Sequence, residues 1–283
     1  MMKNILFLFV LLLPLFVNAG NVILMIGDGM GKNHLKCAEK LKTLYMSSLP
    51  IKGTVITRSA SSRVTDSAAS ATAYACGQKT KNRYLGKLPS GEDCLTIAEE
   101  SVQKGISVGI YSTDYASGAT PSAFYAHVFD RNDKSQIEKY KQSASQNMDI
   151  IVPVEKLSDE VRNRLEKLSN TSNNNRFFVL FEGGKIDTAS HDNKLEEMKQ
   201  ELYDFDLAVK YAVNFIQRDK NTTLIVLADH ETGGLGTDCK FTQSGHTDAD
   251  VPLFAYGKYA DLFKGKQDNT EIYKKIHKIL FDK

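Results

Sequence analysis

Three apolar runs in this chain end in an acid, and that recurrence constrains the fold more than any other feature. Val22-Ile23-Leu24-Met25-Ile26 leads into Gly27-Asp28-Gly29, the run 177–181 into Glu182-Gly183-Gly184, and the run 223–228 into Asp229-His230. A short apolar run without polar alternation reads as a strand buried on both faces. Residues 106–111 and 251–256 read the same way, and helical patterns lie between the runs, over 96–104, 135–145 and 155–168. Strands of this kind alternating with helices predict an α/β fold, a three-layer α/β/α sandwich with a mostly parallel central sheet. Ligands of such sheets bind beyond the carboxyl ends of the strands. Asp28, Glu182 and Asp229 are therefore expected in one crevice, where they repel unless a cation lies among them. Capping of a following helix accounts for one such acid, not for all three.

Histidines join these acids. Asp187 and His191 are spaced i, i+4, which puts both on one face of a helix and lets them share a metal. His230 follows Asp229 directly, and His246 sits in the loop Gln243-Ser244-Gly245-His246-Thr247. Imidazole with carboxylate suits Zn²⁺, and an all-oxygen shell suits Mg²⁺. His34, His127 and His277 lie away from the strand-end acids and read as structural.

The segment 65–74, Thr-Asp-Ser-Ala-Ala-Ser-Ala-Thr-Ala-Tyr, predicts a tightly packed helix starting near Asp66 and stopping at Gly77. Ser67 then stands at its N-terminus, where free N–H groups favour an anion. A serine there beside a divalent cation can lose its proton and attack. Thr120-Pro121 marks another helix start, with Thr120 as N-cap and Pro121 in the first position. Arg131 ends that segment, and a guanidinium fork matches two phosphate oxygens. The stripe Leu195, Met198, Leu202, Phe205, Val209, Ala212, Ile216 makes one long helix that packs on the sheet, a reading preferred to a dimer seam.

Residues 1–19 carry Lys3, then 13 residues without a polar side chain over 5–17, then Val17-Asn18-Ala19. That is the pattern of a secretory signal peptide, and the run is too short to span a bilayer. We expect export across the inner membrane to a periplasmic or extracellular location, no stable membrane anchor, and a single catalytic domain over 20–283. The composition, 42% apolar and 25% charged, is that of a globular chain. With 36 basic against 34 acidic residues it lacks the basic footprint of a nucleic-acid binder. Cys37, Cys76, Cys94 and Cys239 allow three full disulfide pairings or free thiols, and spacing does not choose among them.

Taken together, these residues resemble the alkaline phosphatase family. The matching stretches are 22–31, 64–73, Ala119-Thr120-Pro121 through Ala126-His127 to Arg131, Glu182-Gly183-Gly184-Lys185-Ile186-Asp187 with His191, Ala228-Asp229-His230-Glu231, and Gly245-His246-Thr247 with Val251-Pro252. They keep the family's order and cover nearly all of 20–283. The resemblance implies hydrolysis of small phosphate monoesters through a phosphoserine at Ser67, with Arg131 clamping phosphate. It implies two zinc ions and one magnesium. Asp187, His191 and His246 match the ligands of one zinc, Asp28, Asp229 and His230 those of the second, and Asp28, Thr120 and Glu182 the magnesium shell. It leaves a homodimer open.

The chain departs from the family in three ways. Only 50 residues separate Arg131 from Glu182 and 15 separate His230 from His246, where larger relatives carry insertions. Gly118 stands where many relatives have Asp or His beside the magnesium waters, and Thr188 where they often have Lys, His or Trp. Other classes fit less well. A dinucleotide fingerprint needs glycine at position 32, which is Lys32. A non-enzymatic metal- or phosphate-binding protein leaves Ser67 beside Arg131 unexplained. Ala69 and Ala71 break the sulfatase signature, and related phosphodiesterases usually carry Thr as nucleophile and lack the Arg clamp.

Overall fold

The computed structural model describes residues 19–115, 117–170 and 176–282. The expected signal peptide, apart from Ala19, lies outside the described residues, as does most of the polar loop after residue 170. Ten strands are described: β1 Asn21–Gly27, β2 Ile51–Ile56, β3 Ser107–Ser112, β4 Asp149–Ile151, β5 Phe177–Gly183, β6 Thr222–Leu227, β7 Glu231–Thr232, β8 His246–Thr247, β9 Val251–Gly257 and β10 Gly265–Asp268. Eight of them form one sheet in the order β10-β2-β9-β6-β1-β5-β3-β4, and β7 pairs with β8 in a small hairpin.

The helices are α1 Lys32–Glu39, α2 Ser67–Cys76, α3 Ile97–Gln103, α4 Ala119–Ser122, α5 Lys134–Ala144, α6 Leu157–Asn170, α7 Lys185–His191, α8 Leu195–Asp219 and α9 Asn269–Phe281. One layer contains α1, α6, α7 and α8, and the other α2, α3, α4 and α9. This is the expected three-layer α/β/α arrangement.

β1 is the axis of the sheet. It pairs in parallel with β5 on one side and β6 on the other, with Ile26 opposite both Glu182 and Leu227. That register brings the ends of all three acid-bearing strands level. Each is buried along its whole length, which is why none shows a polar alternation. β9 runs antiparallel between β6 and β2, so the sheet is mostly, not wholly, parallel.

The stripe on α8 packs inward as expected. Met198, Leu202, Phe205, Val209, Ala212 and Ile216 are all buried, and the helix lies against β1, β5, β6, β9 and α6. Helix α2 behaves differently. All ten of its residues are buried, because Ala, Ser and Thr leave room for neighbours on every side. Tyr74 on α2 donates to the carbonyl of Ala228 at 2.7 Å, which ties the helix to the end of β6.

One expected helix start is corrected. Gly118, not Thr120, holds the N-cap place, and Thr120 lies within the single turn α4. Its hydroxyl is buried and caps no backbone group.

The four cysteines pair as Cys37–Cys239 and Cys76–Cys94, with Cα separations of 5.6 and 6.0 Å. The first ties α1 to the loop between β7 and β8. The second ties the end of α2 to the segment before α3.

Candidate functional site

Asp28 follows β1, Glu182 ends β5, and Asp229 and His230 follow β6, so the sheet register alone gathers them. Gly29 makes the crossing possible. Its φ is +70°, and a Cβ there would lie 2.7 Å from Asp187 Oδ1 and 2.9 Å from Thr232 Oγ1. The amides of Gly29 and His230 both donate to Asp229 Oδ1, at 3.1 and 3.0 Å. Asp229 Oδ2, Asp28 Oδ1, Glu182 Oε1 and Thr120 Oγ1 are buried and have no hydrogen-bond partner. Such orphaned atoms cost free energy unless something binds them.

The histidine tautomers define what that is. His230 Nδ1 lies 3.2 Å from Thr232 Oγ1, whose own proton goes to Asp187 Oδ1. Nδ1 must then carry the proton, leaving Nε2 as a lone pair. That lone pair lies 3.1 Å from Ser67 Oγ, 3.2 Å from Asp229 Oδ2 and 3.4 Å from Asp28 Oδ1. Facing carboxylate oxygens with a lone pair is repulsive unless a proton or a cation lies between them.

The same logic holds nearer the surface. His191 Nδ1 faces the carbonyl of Ser244, and His246 Nδ1 faces that of Thr65 at 3.0 Å. A carbonyl only accepts, so both Nδ1 atoms carry protons and both Nε2 atoms are acceptors. These Nε2 atoms approach to 3.1 Å, and His191 Nε2 is 3.2 Å from Asp187 Oδ2. Only a proton or a cation between them makes that approach favourable. Histidines that bind metal hold their second N–H in this way.

Two groups of donor atoms are compact, each with all atoms within 4.8 Å of one another: Asp187, His230, His246 and Asp28, Asp229, His230. His191 joins the first by the distances above, and His230 stacks on His246 with ring centroids 3.6 Å apart. The donor chemistry thus fits cations in both groups, and the orphaned oxygens of Thr120 and Glu182 mark a third, oxygen-only place.

Charge follows burial. Desolvation, then the charges of Asp229 and Asp187, push Asp28 well above the usual carboxylate range. Burial and Asp114 do the same to Glu182, and burial brings Asp229 to about 7. Burial holds His230 well below its ordinary value and lowers His246. Asp187 goes the other way. Burial would raise it, but its bond to His191 and the nearby imidazoles outweigh that and hold it low.

Ser67 is the first residue of α2, and Asp66 caps the helix by accepting from Ala69 N at 3.0 Å. Arg131 Nη1 lies 3.5 Å from Asp66 Oδ2, which holds the guanidinium beside the start of α2. His34, His127 and His277 instead make bonds to Ser190, Glu99 and Glu100. A cavity of about 790 Å³ lies to one side, lined by Asp114, Glu155, Lys185 and Thr188 among others, and does not include Ser67.

Sequence reasoning missed three residues that support this site. Thr232 bridges Asp187 and His230, Ser112 donates to Glu182 Oε2, and Asp66 holds Arg131. Thr232 and Asp66 adjoin identified residues in sequence, which was the available signal. Ser112 had none.

A serine hydroxyl at a helix N-terminus, beside grouped N/O cation donors on the carboxyl edge of a mostly parallel sheet, fits a metal-assisted hydrolase. The model of the alkaline phosphatase family matches residues 19–153 and 153–242, and the chain belongs to that family. It is similar to alkaline phosphatase 3 of Bacillus subtilis, 24% identical over 92% of this chain and 88% of that one. That alignment spans 411 residues, so the relative carries insertions this chain lacks. Among solved structures it is similar to the alkaline phosphatase of the Antarctic bacterium TAB5, with a TM-score of 0.83 and 28% identity over 92% of this chain and 97% of that one. A histidine-to-aspartate variant of that enzyme, 27% identical over the same shares with a TM-score of 0.81, holds magnesium in its M3 site. The chain is an alkaline phosphatase-type enzyme that hydrolyses phosphate monoesters.

Proposed function

We propose that hydrolysis proceeds through a phosphoserine at Ser67, with two zinc ions and one magnesium. The supporting observation is Ser67 Oγ, 3.1 Å from the unprotonated Nε2 of His230, at the N-terminus of α2. Asp187, His191 and His246 would hold one zinc, Asp28, Asp229 and His230 the other, and Asp28, Thr120 and Glu182 the magnesium. When bound, these cations supply Lewis-acid polarisation of the reacting oxygens and offset the four carboxylates.

The chain's own residues do the rest. Ser67 gives its proton to solvent water, its Oγ attacks phosphorus as the P–O bond to the leaving oxygen breaks on the opposite side, and that oxygen takes up a proton from water as it departs. The first turn of α2 faces the transferred group with its positive end. Arg131, held by Asp66, donates two N–H groups to non-bridging oxygens, which suits a dianionic monoester better than a monoanionic diester. Water then attacks phosphoserine in line, releasing inorganic phosphate and restoring Ser67. His230 and His246 are held in register by their stacking and by their Nδ1 bonds, so their Nε2 atoms stay aimed into the cleft.

We also place this reaction outside the cytoplasm. The support is the apolar run over 5–17 and the two disulfides, which persist in oxidising compartments. Among the described residues no helix is long and apolar enough to cross a membrane.

The test is acid-quench labelling with an aryl phosphate, followed by mass spectrometry. The expected result is phosphate on Ser67, and a Ser67→Ala protein that keeps its metals while turnover falls by roughly 10³-fold or more. Normal turnover in Ser67→Ala would remove the phosphoserine.

A further inference from the structure

Two buried oxygens in the third place are left without partners, Glu182 Oε1 and Thr120 Oγ1, on residues with no exposed surface. Glu182 Oε2 is already engaged by the Ser112 hydroxyl. Ser112 Oγ also accepts the amide of Asp114 at 2.8 Å, so one hydroxyl links Glu182 to the start of the loop after β3.

The Asp114 side chain lies between two glycines. Its Oδ2 is 2.2 Å from the point a Cβ on Gly118 would occupy, and its Cβ is 2.6 Å from that of a Cβ on Gly184. Neither glycine is required by its backbone. Gly118 has φ −52° and Gly184 φ −71°, values open to any residue. What both positions need is space, and Asp114 fills it. Gly184 N donates to Thr113 Oγ1 at 3.0 Å, which fixes the loop there. Tyr115 N donates to Asp114 Oδ1 at 2.7 Å, whereas Oδ2 accepts no hydrogen bond among the described residues. Of the charges acting on Glu182, that of Asp114 is the strongest, and it also acts on Asp28.

We propose that Asp114 supplies the carboxylate of the third cation site, with its Oδ2 entering the space that glycine at 118 leaves open. The site then has Asp28, Thr120, Glu182 and Asp114 as an oxygen-only set. That composition selects a hard cation, Mg²⁺, over Zn²⁺. The inference rests on the three-cation reading above and adds a residue to it. Asp114 also lines the 790 Å³ cavity, which gives the site a solvent-facing side for a cation that keeps several of its waters.

The experiment is equilibrium magnesium binding to chelator-stripped, zinc-reloaded protein, read by titration calorimetry and by the magnesium-induced shift in Tm. Asp114→Asn is expected to weaken magnesium about 10- to 100-fold while zinc content stays unchanged. Glu182→Gln should weaken it at least as much. The double variant Asp114→Ala/Gly118→Asp moves the carboxylate to the other side of the same space and should recover most of the affinity. Loss in Glu182→Gln with none in Asp114→Asn would overturn the role of Asp114 alone. Unchanged binding in both would overturn the third site itself. A double variant as weak as Asp114→Asn would overturn the claim that positions 114 and 118 reach one place.

Discussion

In the deep donor set the side chains of Asp28, Asp229 and His230 are 6, 0 and 0% exposed, whereas at the rim those of His191, Asp187 and His246 are 40, 15 and 14% exposed. The residue types are the same, and their carboxylates shift in opposite directions. Deep carboxylates cannot be solvated, so without a cation they hold protons. At the rim Asp187 stays ionised although burial works against it, because its bond to His191 and the nearby imidazoles outweigh the burial. The supports differ too. The deep set hangs on strand ends and backbone amides, and the rim set on α7 and the β7–β8 hairpin. The imidazoles around a carboxylate, set against its burial, therefore decide whether it stays ionised or holds a proton.

The widest gap between the regions should appear on removing one ligand from each. His230→Gln should lower kcat/KM by roughly 10³-fold or more, without recovery in excess zinc, because the buried acids lose a neighbour that nothing replaces. His191→Gln should weaken zinc by only about 10- to 100-fold and recover when zinc is added, since water can fill the place. Zinc titrations of activity separate the two, and equal recovery would erase the distinction.

Arg131 provides a sharper test, because it belongs to neither donor set. Arg131→Ala should cost monoester turnover ~2–4 kcal/mol, roughly 30- to 1000-fold in kcat/KM, and diester turnover less. Zinc content measured on the same samples should be unchanged. Equal losses on both esters would mean that Arg131 supports Asp66 without reading phosphate charge.

The smallest effect concerns pH. In metal-free protein the raised carboxyls Asp28, Glu182 and Asp229 bind protons more tightly when folded than when unfolded, so each loses stability as pH rises toward its folded value. The lowered histidines His34, His230 and His246 act in reverse, gaining stability only up to the ordinary histidine value of ~6.5. The two trends oppose below that pH. Above it the carboxyl trend continues, with Asp229 titrating at about 7, and the raised His127 and His191 lose stability in the same direction. The Tm of chelated protein should therefore fall above pH ~6.5, and that of loaded protein should not. A chelated Tm that rises there would place the buried protons elsewhere.

Much of this was legible beforehand, for local reasons. Strands buried on both faces show as apolar runs, so β1, β5 and β6 and the acids at their ends stood out. Helix α8 showed its stripe, and α2 its small residues between Asp66 and Gly77. The last two strands at one end of the sheet did not show. β10 is Gly-Lys-Gln-Asp, and β2 interrupts its apolar residues with Lys52 and Gly53, because solvent on one side relaxes the demand for apolar side chains. Asp114 was missed for another reason. It lies four residues from Gly118, and nothing in that spacing shows that one side chain occupies the space the other lacks.

Local composition by itself determined which residues begin and end the buried elements, and so where serine, arginine, acids and histidines meet the carboxyl edge of the sheet. Burial along a strand or one helix face acts within a few residues, and a linear pattern can carry it. Only the tertiary structure decided the rest. It set the disulfide pairing, in which Cys37 and Cys239 have a sequence separation of 202. It set the antiparallel course of β9, the protonated nitrogen of each histidine, and the fit of Asp114 between Gly118 and Gly184. Each of these depends on which atoms of distant segments come within about 3 Å of one another, the range over which hydrogen bonds and steric exclusion act. Packing settles that contact, and local periodicity does not encode it.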